Sequence, residues 1–242
     1  VRDLPKINAN YWLALVAASI FGTNTGDFVA RSLHFGHLAG LPYMALVFGA
    51  ILVLARWARH SHALYFWAAI ITMRTAATNV GDAFSDFGIP YRLSIPIVLV
   101  LFAASVLFYR RVAQANASEA TVPVNSAYWL SMMLAGVLGT IGGDFASFRV
   151  GLTPPGAAAV FVPLLAVSIA WFSRQGSLLD PIPYWATVAL IRTGGTAAGD
   201  AAAGAFGLPA STLLTGLVFA GLVVYFYAFQ STNKAEPRVA PT

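Results

Sequence analysis

The sequence contains no cysteine, which excludes disulfides, thiolate metal sites and cysteine nucleophiles. Charge is almost as scarce. Only 10% of the 242 residues are Asp, Glu, Lys or Arg, where soluble domains carry about 25%. A chain this short of solvated side chains has lipid, not water, as its main solvent. No apolar run is short enough, or followed by a small-residue cleavage site, to read as a secretory signal. The start at Val1 rather than Met predicts a processed or more distal beginning. There is no Ser–His nucleophile pair, no His-rich apolar cluster and no phosphate loop, so no enzyme is expected. The net charge of +5 is scattered, without a basic patch, and does not predict a nucleic-acid partner.

What is present is hydrophobic, at 58% of residues. A helix of roughly 20 apolar residues spans a bilayer. Eight such stretches are expected, at 10–31, 41–59, 64–87, 92–109, 127–148, 156–173, 183–205 and 210–230. Basic residues set their orientation. Arg2, Lys6, Arg56, Arg59, Arg110, Arg111, Arg174, Lys234 and Arg238 fall on one side, against Arg31, Arg92 and Arg149 on the other. The positive-inside bias then predicts both termini in the cytoplasm.

Four segments align without gaps: Trp12, Thr23, Gly26, Asp27; Trp67, Thr78, Gly81, Asp82; Trp129, Thr140, Gly143, Asp144; and Trp185, Thr196, Gly199, Asp200. An aromatic residue precedes each Trp, namely Tyr11, Phe66, Tyr128 and Tyr184. The repeated unit is therefore aromatic-Trp-x10-Thr-x2-Gly-Asp. Repeats one and three share Gly-Thr and Gly-Asp-Phe, while two and four share Arg-Thr at Arg74-Thr75 and Arg192-Thr193. This pattern predicts a two-helix hairpin duplicated twice, with repeats at about 9–60, 63–112, 126–174 and 182–230 in one integral domain spanning 1–242. A polar linker over 114–124 separates the halves. Each unit has an even number of spans, so all four copies point the same way. The expected fold is an all-α membrane protein of eight transmembrane helices. Its four parallel-oriented hairpins are related by a pseudo-two-fold axis, approaching four-fold, along the membrane normal.

Tyr-Trp pairs prefer the lipid interface, so Trp12, Trp67, Trp129 and Trp185 are expected to anchor one end of the odd helices there. Fifteen helical residues rise ~22 Å, which carries each Asp toward the far edge of the hydrocarbon. Thr lies four residues earlier on the same face, one turn away, able to serve the Asp or a polar site. The adjoining Gly admits a neighbouring backbone. The even helices read as nearly uninterrupted apolar spans, forming a lipid-facing or supporting layer. Pro96 and Pro163 are candidate kinks.

The chain resembles the bacterial membrane-anchored proteins made of four tandem repeats of unknown function, each with two spans and a signature Trp. The resemblance covers about 9–230 and rests on Tyr11-Trp12, Trp67, Tyr128-Trp129, Trp185, the Thr-x-x-Gly-Asp blocks and Ile191-Arg192-Thr193. Repeats of that family often carry Glu after the Gly and Asp four residues later. Here the acid after Gly is always Asp, and Asp82/Asp86 alone keeps the double acid. The resemblance implies a fold and no activity.

Asp27, Asp82, Asp86, Asp144 and Asp200 cost about 2.5–3.5 kcal/mol each to insert, so they are expected to face the protein interior or a wet cavity. One reading is a site for a proton or a hard metal ion, with Thr23, Thr78, Thr140 and Thr196 as further oxygen ligands. The other is that each Asp locks helices together through an Arg, a Thr or the backbone. Arg31, Arg74, Arg149 and Arg192 are the candidate counter-ions or gates, and Asp27 and Arg31 have helical i,i+4 spacing. Five acids against four arginines leave one negative charge in excess, or three if Arg31 and Arg149 reach water. Protons or bound cations would have to cover that excess. His34 and His37 share the first odd-to-even loop at metal-ligand spacing, and His60 and His62 flank the next loop. No acid lies beside either pair in sequence, so all four read as solvated. Gly-Asp also invites comparison with intramembrane aspartyl proteases, but their first Gly is replaced by Asn24, Asn79, Ile141 and Ala197. The expected function is a transporter or channel for a small cation of unknown identity. The alternative is a structural or assembly subunit. No cofactor is evident, and the bilayer, a protein partner or a second copy are the other partners considered.

Overall fold

A computed structural model describes residues 5–58, 62–115 and 122–234, excepting the side chains at 62, 115 and 227–234. Arg2, Arg59, His60 and Arg238 lie outside the described residues, as do the side chains of His62 and Lys234 and much of the polar linker. Every described element is helical. The order is α1 (Ala9–Asp27), α2 (Leu41–Trp57), α3 (His62–Asp86), α4 (Tyr91–Ala115), α5 (Ser126–Asp144), α6 (Thr153–Arg174), α7 (Pro181–Phe206) and α8 (Leu208–Lys234). Wider π-helical turns extend α1 over Phe28–Ser32 and α5 over Phe145–Arg149.

Local sequence explains the ends. Asn8 and Asn125 cap α1 and α5, their side-chain oxygens accepting from the Tyr11 and Tyr128 amides at 3.1 and 2.9 Å. Gly88 and Gly207, at φ 67 and 78, turn the chain sharply from α3 to α4 and from α7 to α8. Pro96 and Pro163 lie inside α4 and α6.

Among the described residues, five helical segments are long and apolar enough to cross a membrane: Ala9–Ser32, Tyr91–Gln114, Ser126–Arg149, Thr153–Arg174 and Leu208–Phe226. The outer faces fit that environment. Leu46 on α2, Val100 on α4, Val167 on α6 and Leu213 on α8 are all exposed, an arrangement that water would penalise. α2 is a shorter apolar helix. The other two, α3 and α7, are long but diluted by Arg74, Asp82 and Asp86 and by Arg192 and Asp200.

The odd helices form a closed ring. α1 packs on α3, α3 on α5, α5 on α7, and α7 returns to α1. The even helices lie outside it. Their packing differs from the expected hairpin, in which each odd helix would pair with the even helix after it. Instead α2 packs mainly on α3, α4 on α5, α6 on α7, and α8 on α1. Each even helix thus leans on the following odd helix, and the last closes onto the first.

The repeated residues supply the ring contacts. Near one end, the aromatic residue of each odd helix meets the Trp of the next. The centroid distances are 5.7 Å for Tyr11–Trp67, 6.0 Å for Phe66–Trp129, 5.3 Å for Tyr128–Trp185 and 5.7 Å for Tyr184–Trp12. These rings are buried. The four Trp are therefore core residues rather than the lipid-interface anchors their sequence context predicts. Outer-helix aromatics cover several of them. Phe48 packs on Trp129, Phe102 and Tyr109 on Trp185, and Phe219 on Trp67.

Near the other end, each motif Gly lies against the motif Thr of the next helix. A Cβ on Gly26, Gly81, Gly143 or Gly199 would stand 2.8, 2.7, 2.8 or 3.1 Å from the Cβ of Thr78, Thr140, Thr196 or Thr23. Those Thr carbons are branched and cannot swing away. Gly81→Ala is therefore expected to lower the melting temperature of the purified protein, at a cost of about 1–3 kcal/mol. Gly49→Ala and Gly221→Ala, where an added Cβ meets nothing within 4 Å, should leave it unchanged or slightly raised. Equal melting of all three variants would remove the close contact as the reason for the Gly.

Candidate functional site

Each odd helix carries its Thr and Asp four residues apart, one turn along the same face. Because the helices form a ring, the four faces meet. Thr23, Asp27, Thr78, Asp82, Thr140, Asp144, Thr196 and Asp200 all line one cavity of about 590 Å³. Asp86, one turn beyond Asp82, lines it too, with Arg31, His37, Ser85 and Tyr91 around its mouth. The cavity opens at the end that carries the odd-to-even loops.

The acids differ in their partners. Asp27 is buried and lies 3.3 Å from the largely exposed Arg31. Asp82 is 3.6 Å from His37, and Asp86 is 2.6 Å from the same ring. Asp144 and Asp200 have no basic group within 4.0 Å among the described residues. Arg149 was expected as a counter-ion, but stacks 5.8 Å over the Tyr91 ring. Arg149 follows Asp144 by five residues, one more than the Asp27–Arg31 spacing, and Phe148 takes the i+4 place.

Beneath the threonines that line the cavity lies a cation. Arg74 is 1% exposed, and its guanidinium reaches across the ring. It donates to the hydroxyls of Thr23 at 2.7 Å, Thr140 at 2.9 Å and Thr196 at 2.6 Å. It also donates to the carbonyls of Gly136 at 3.1 Å, Ser19 at 3.4 Å and Arg192 at 3.5 Å. The fourth ring hydroxyl, on Thr78, donates to the Arg74 carbonyl at 3.2 Å. The threonines thus hold Arg74 and backbone carbonyls rather than completing the hydrogen bonds of the aspartates. Room for Arg74 comes from Gly22, whose missing side chain would overlap its aliphatic stem. Gly139 makes the same close approach to Arg192.

Arg192 turns the other way. The only hydrogen bond of its guanidinium among the described residues goes to the Met132 sulfur at 3.0 Å, and its Nε and Nη1 have none. Among the described residues neither buried arginine pairs with an aspartate, so the expected Arg–Asp locks at these two positions are not formed there. Toward the closed end the Tyr11, Tyr128 and Tyr184 hydroxyls meet at 2.6 to 3.4 Å. Phe66 is the fourth member and supplies no hydroxyl. The axis therefore runs from an acidic cup, through a layer of threonines around Arg74, past Arg192, into packed aromatics.

His37 is the residue that sequence reasoning missed, having been read as a solvated loop histidine. Gly36, at φ 71, turns the loop just before it, and the ring lands between two acids of α3. The available signal was indirect, since the repeat with a second acid is the one that follows a His-bearing loop. His34 stays exposed.

The profile of the family described as Repeat of Unknown Function (DUF347) matches residues 10–61 and 127–177. Those spans contain the first and third Trp-to-Asp units. No curated protein and no solved structure matches the chain. The chain is thus similar, over two segments at equivalent places in its halves, to a tandem repeat of unknown function.

Proposed function

We propose that this chain is a non-enzymatic membrane protein that binds and moves a small cation through its acidic cup. In this reading all eight helices span a bacterial cytoplasmic membrane, both termini are cytoplasmic, and the cup faces outward. The observation that carries it is the convergence of four Thr–Asp pairs, one from each odd helix, on a single cavity. Several carboxylates around one wet space attract cations and repel anions. Their mutual repulsion eases when a proton or metal ion sits among them.

Length and exposure support eight spans. α3 and α7 have 25 and 26 residues, long enough to cross, and their polar side chains point into the ring. The recurrence of Gly22 on Arg74 as Gly139 on Arg192, and of Gly26 on Thr78 as Gly143 on Thr196, supports a pseudo-two-fold relation between 9–115 and 126–230. The same Gly-on-Thr contact at all four junctions supports the approach to four-fold.

Arg74 argues against an open cation pore, because its charge lies on the axis below the acids. Transport would need Arg74 to leave the threonines, so a carrier with Arg74 as its inner gate fits better than a channel. The same closed floor favours the second reading, a structural subunit whose acids serve assembly with a protein partner or a second copy.

Purified protein in proteoliposomes is expected to move a monovalent or divalent cation above the rate of empty liposomes. Asp27→Asn, Asp82→Asn, Asp144→Asn and Asp200→Asn should each slow that flux by about tenfold or more, since each removes one charge from the ring. Wild-type flux no greater than that of empty liposomes, or four variants as fast as wild type, would leave the structural reading. Orientation has its own check. A C-terminal alkaline phosphatase fusion should be inactive and a fluorescent protein fusion bright; an active phosphatase would reverse the assignment.

A further inference from the structure

The cup is not equally acidic all round, and one side adds nitrogen to the oxygens. Asp27, His37 and Asp82 each present one ligand atom, and the three atoms lie within 4.8 Å of one another. The His37 Nε2 is buried without a hydrogen-bond partner and stands 3.6 Å from the Asp82 carboxylate. Ligands ~2.0–2.1 Å from a tetrahedral ion lie roughly 3.3 Å apart, so this spacing is close to that of a filled site. Across the ring, Nδ1 lies 2.6 Å from Asp86. With its proton on Nδ1 donated to Asp86, the imidazole directs its Nε2 lone pair at the two other acids. A carboxylate behind a histidine that faces a metal is the usual way such a ligand is oriented. Asp27 has its Oδ1 buried and, apart from the ion pair with Arg31, without a hydrogen bond.

We propose that Asp27, His37 and Asp82 form a binding site for a divalent transition-metal ion, with Asp86 positioning the histidine. The inference rests on the reading of the cup as a cation site and narrows the cation to a class. Imidazole and carboxylate together suit Zn²⁺, Fe²⁺, Co²⁺ or Mn²⁺, whereas carboxylates alone suit Mg²⁺ or Ca²⁺. Three protein ligands leave the side facing the cavity open, so the ion can enter and leave by the mouth. The site is peculiar to the first two repeats. The position of Asp86 is taken by Phe148 after Asp144 and by Gly204 after Asp200, and the third and fourth repeats have no loop histidine. The pseudo-symmetric cup therefore holds one asymmetric site.

The test is calorimetric titration of untagged, detergent-solubilised protein with Zn²⁺ and, separately, with Mg²⁺. Wild type should bind one Zn²⁺ at least about 100-fold more tightly than Mg²⁺, by the borderline character of the imidazole. His37→Ala should remove most of that preference, while His34→Ala, an exposed histidine three residues away, should keep it. Asp86→Asn removes no ligand and changes a half-exposed side chain. It should weaken Zn²⁺ by about 10- to 100-fold while leaving the stoichiometry at one. A His37→Ala protein that is monodisperse and binds Zn²⁺ as wild type does would overturn the site. Mg²⁺ binding equal to Zn²⁺ and indifferent to His37 would overturn the transition-metal assignment yet leave the cup as a cation site. Failure of wild type to bind either ion would overturn both.

Discussion

The structure depends on a contact that each odd helix makes with the next one around the ring. Glycine at one end receives the neighbour's threonine, and an aromatic ring at the other receives the neighbour's tryptophan. Both contacts are directional, because the donor and receiver residues differ, and both are repeated four times. A directional contact between like units closes on itself when the rotation per step divides the circle. Here the units are covalently joined, and closure makes four helices into a cylinder with matching residues at matching height. The acidic cup follows from that closure. No single helix could gather four carboxylates.

A ring of inward acids would be self-repelling, and the single Arg74 guanidinium beneath it offsets part of that repulsion without neutralising any one acid by contact. It satisfies itself on threonine hydroxyls and carbonyls instead. Buried guanidinium groups need their donors satisfied, and three hydroxyls arranged around an axis suit its planar fork. The pseudo-equivalent Arg192 lacks such acceptors because Arg74 already occupies the central position. The same residue type at equivalent places in the two halves thus has two fates, since only one side chain fits on the axis.

Much of the architecture was legible in the sequence. Eight stretches became eight helices among the described residues, with ends within a few residues except that α4 runs six residues past 109, because apolar length and the flanking turn residues mark most ends. The Thr–Asp spacing of four told which residues share a face. What the sequence could not convey were partners across the chain. His37 looked solvated because its acids lie 45 and 49 residues away. The tryptophans looked like interface anchors because nothing local shows that Phe48, Phe102, Tyr109 and Phe219 would cover them. The hairpin was inferred from chain order, whereas packing shifts the pairing by one helix. Arg74 looked like a counter-ion to aspartate because threonines are not the first acceptors charge counting considers.

The packing of α8 on α1 has a consequence for biogenesis. A chain made from its N-terminus holds α1 with one flank uncovered until α7 and α8 follow. The flank of α1 that finally meets α7 and α8 carries Ser19, Thr23 and Asn24, each buried in the finished molecule. Until α7 and α8 arrive, those polar groups lack the neighbours that bury them. Assembly is therefore completed late, and the acidic cup does not exist in any nascent chain that lacks α7.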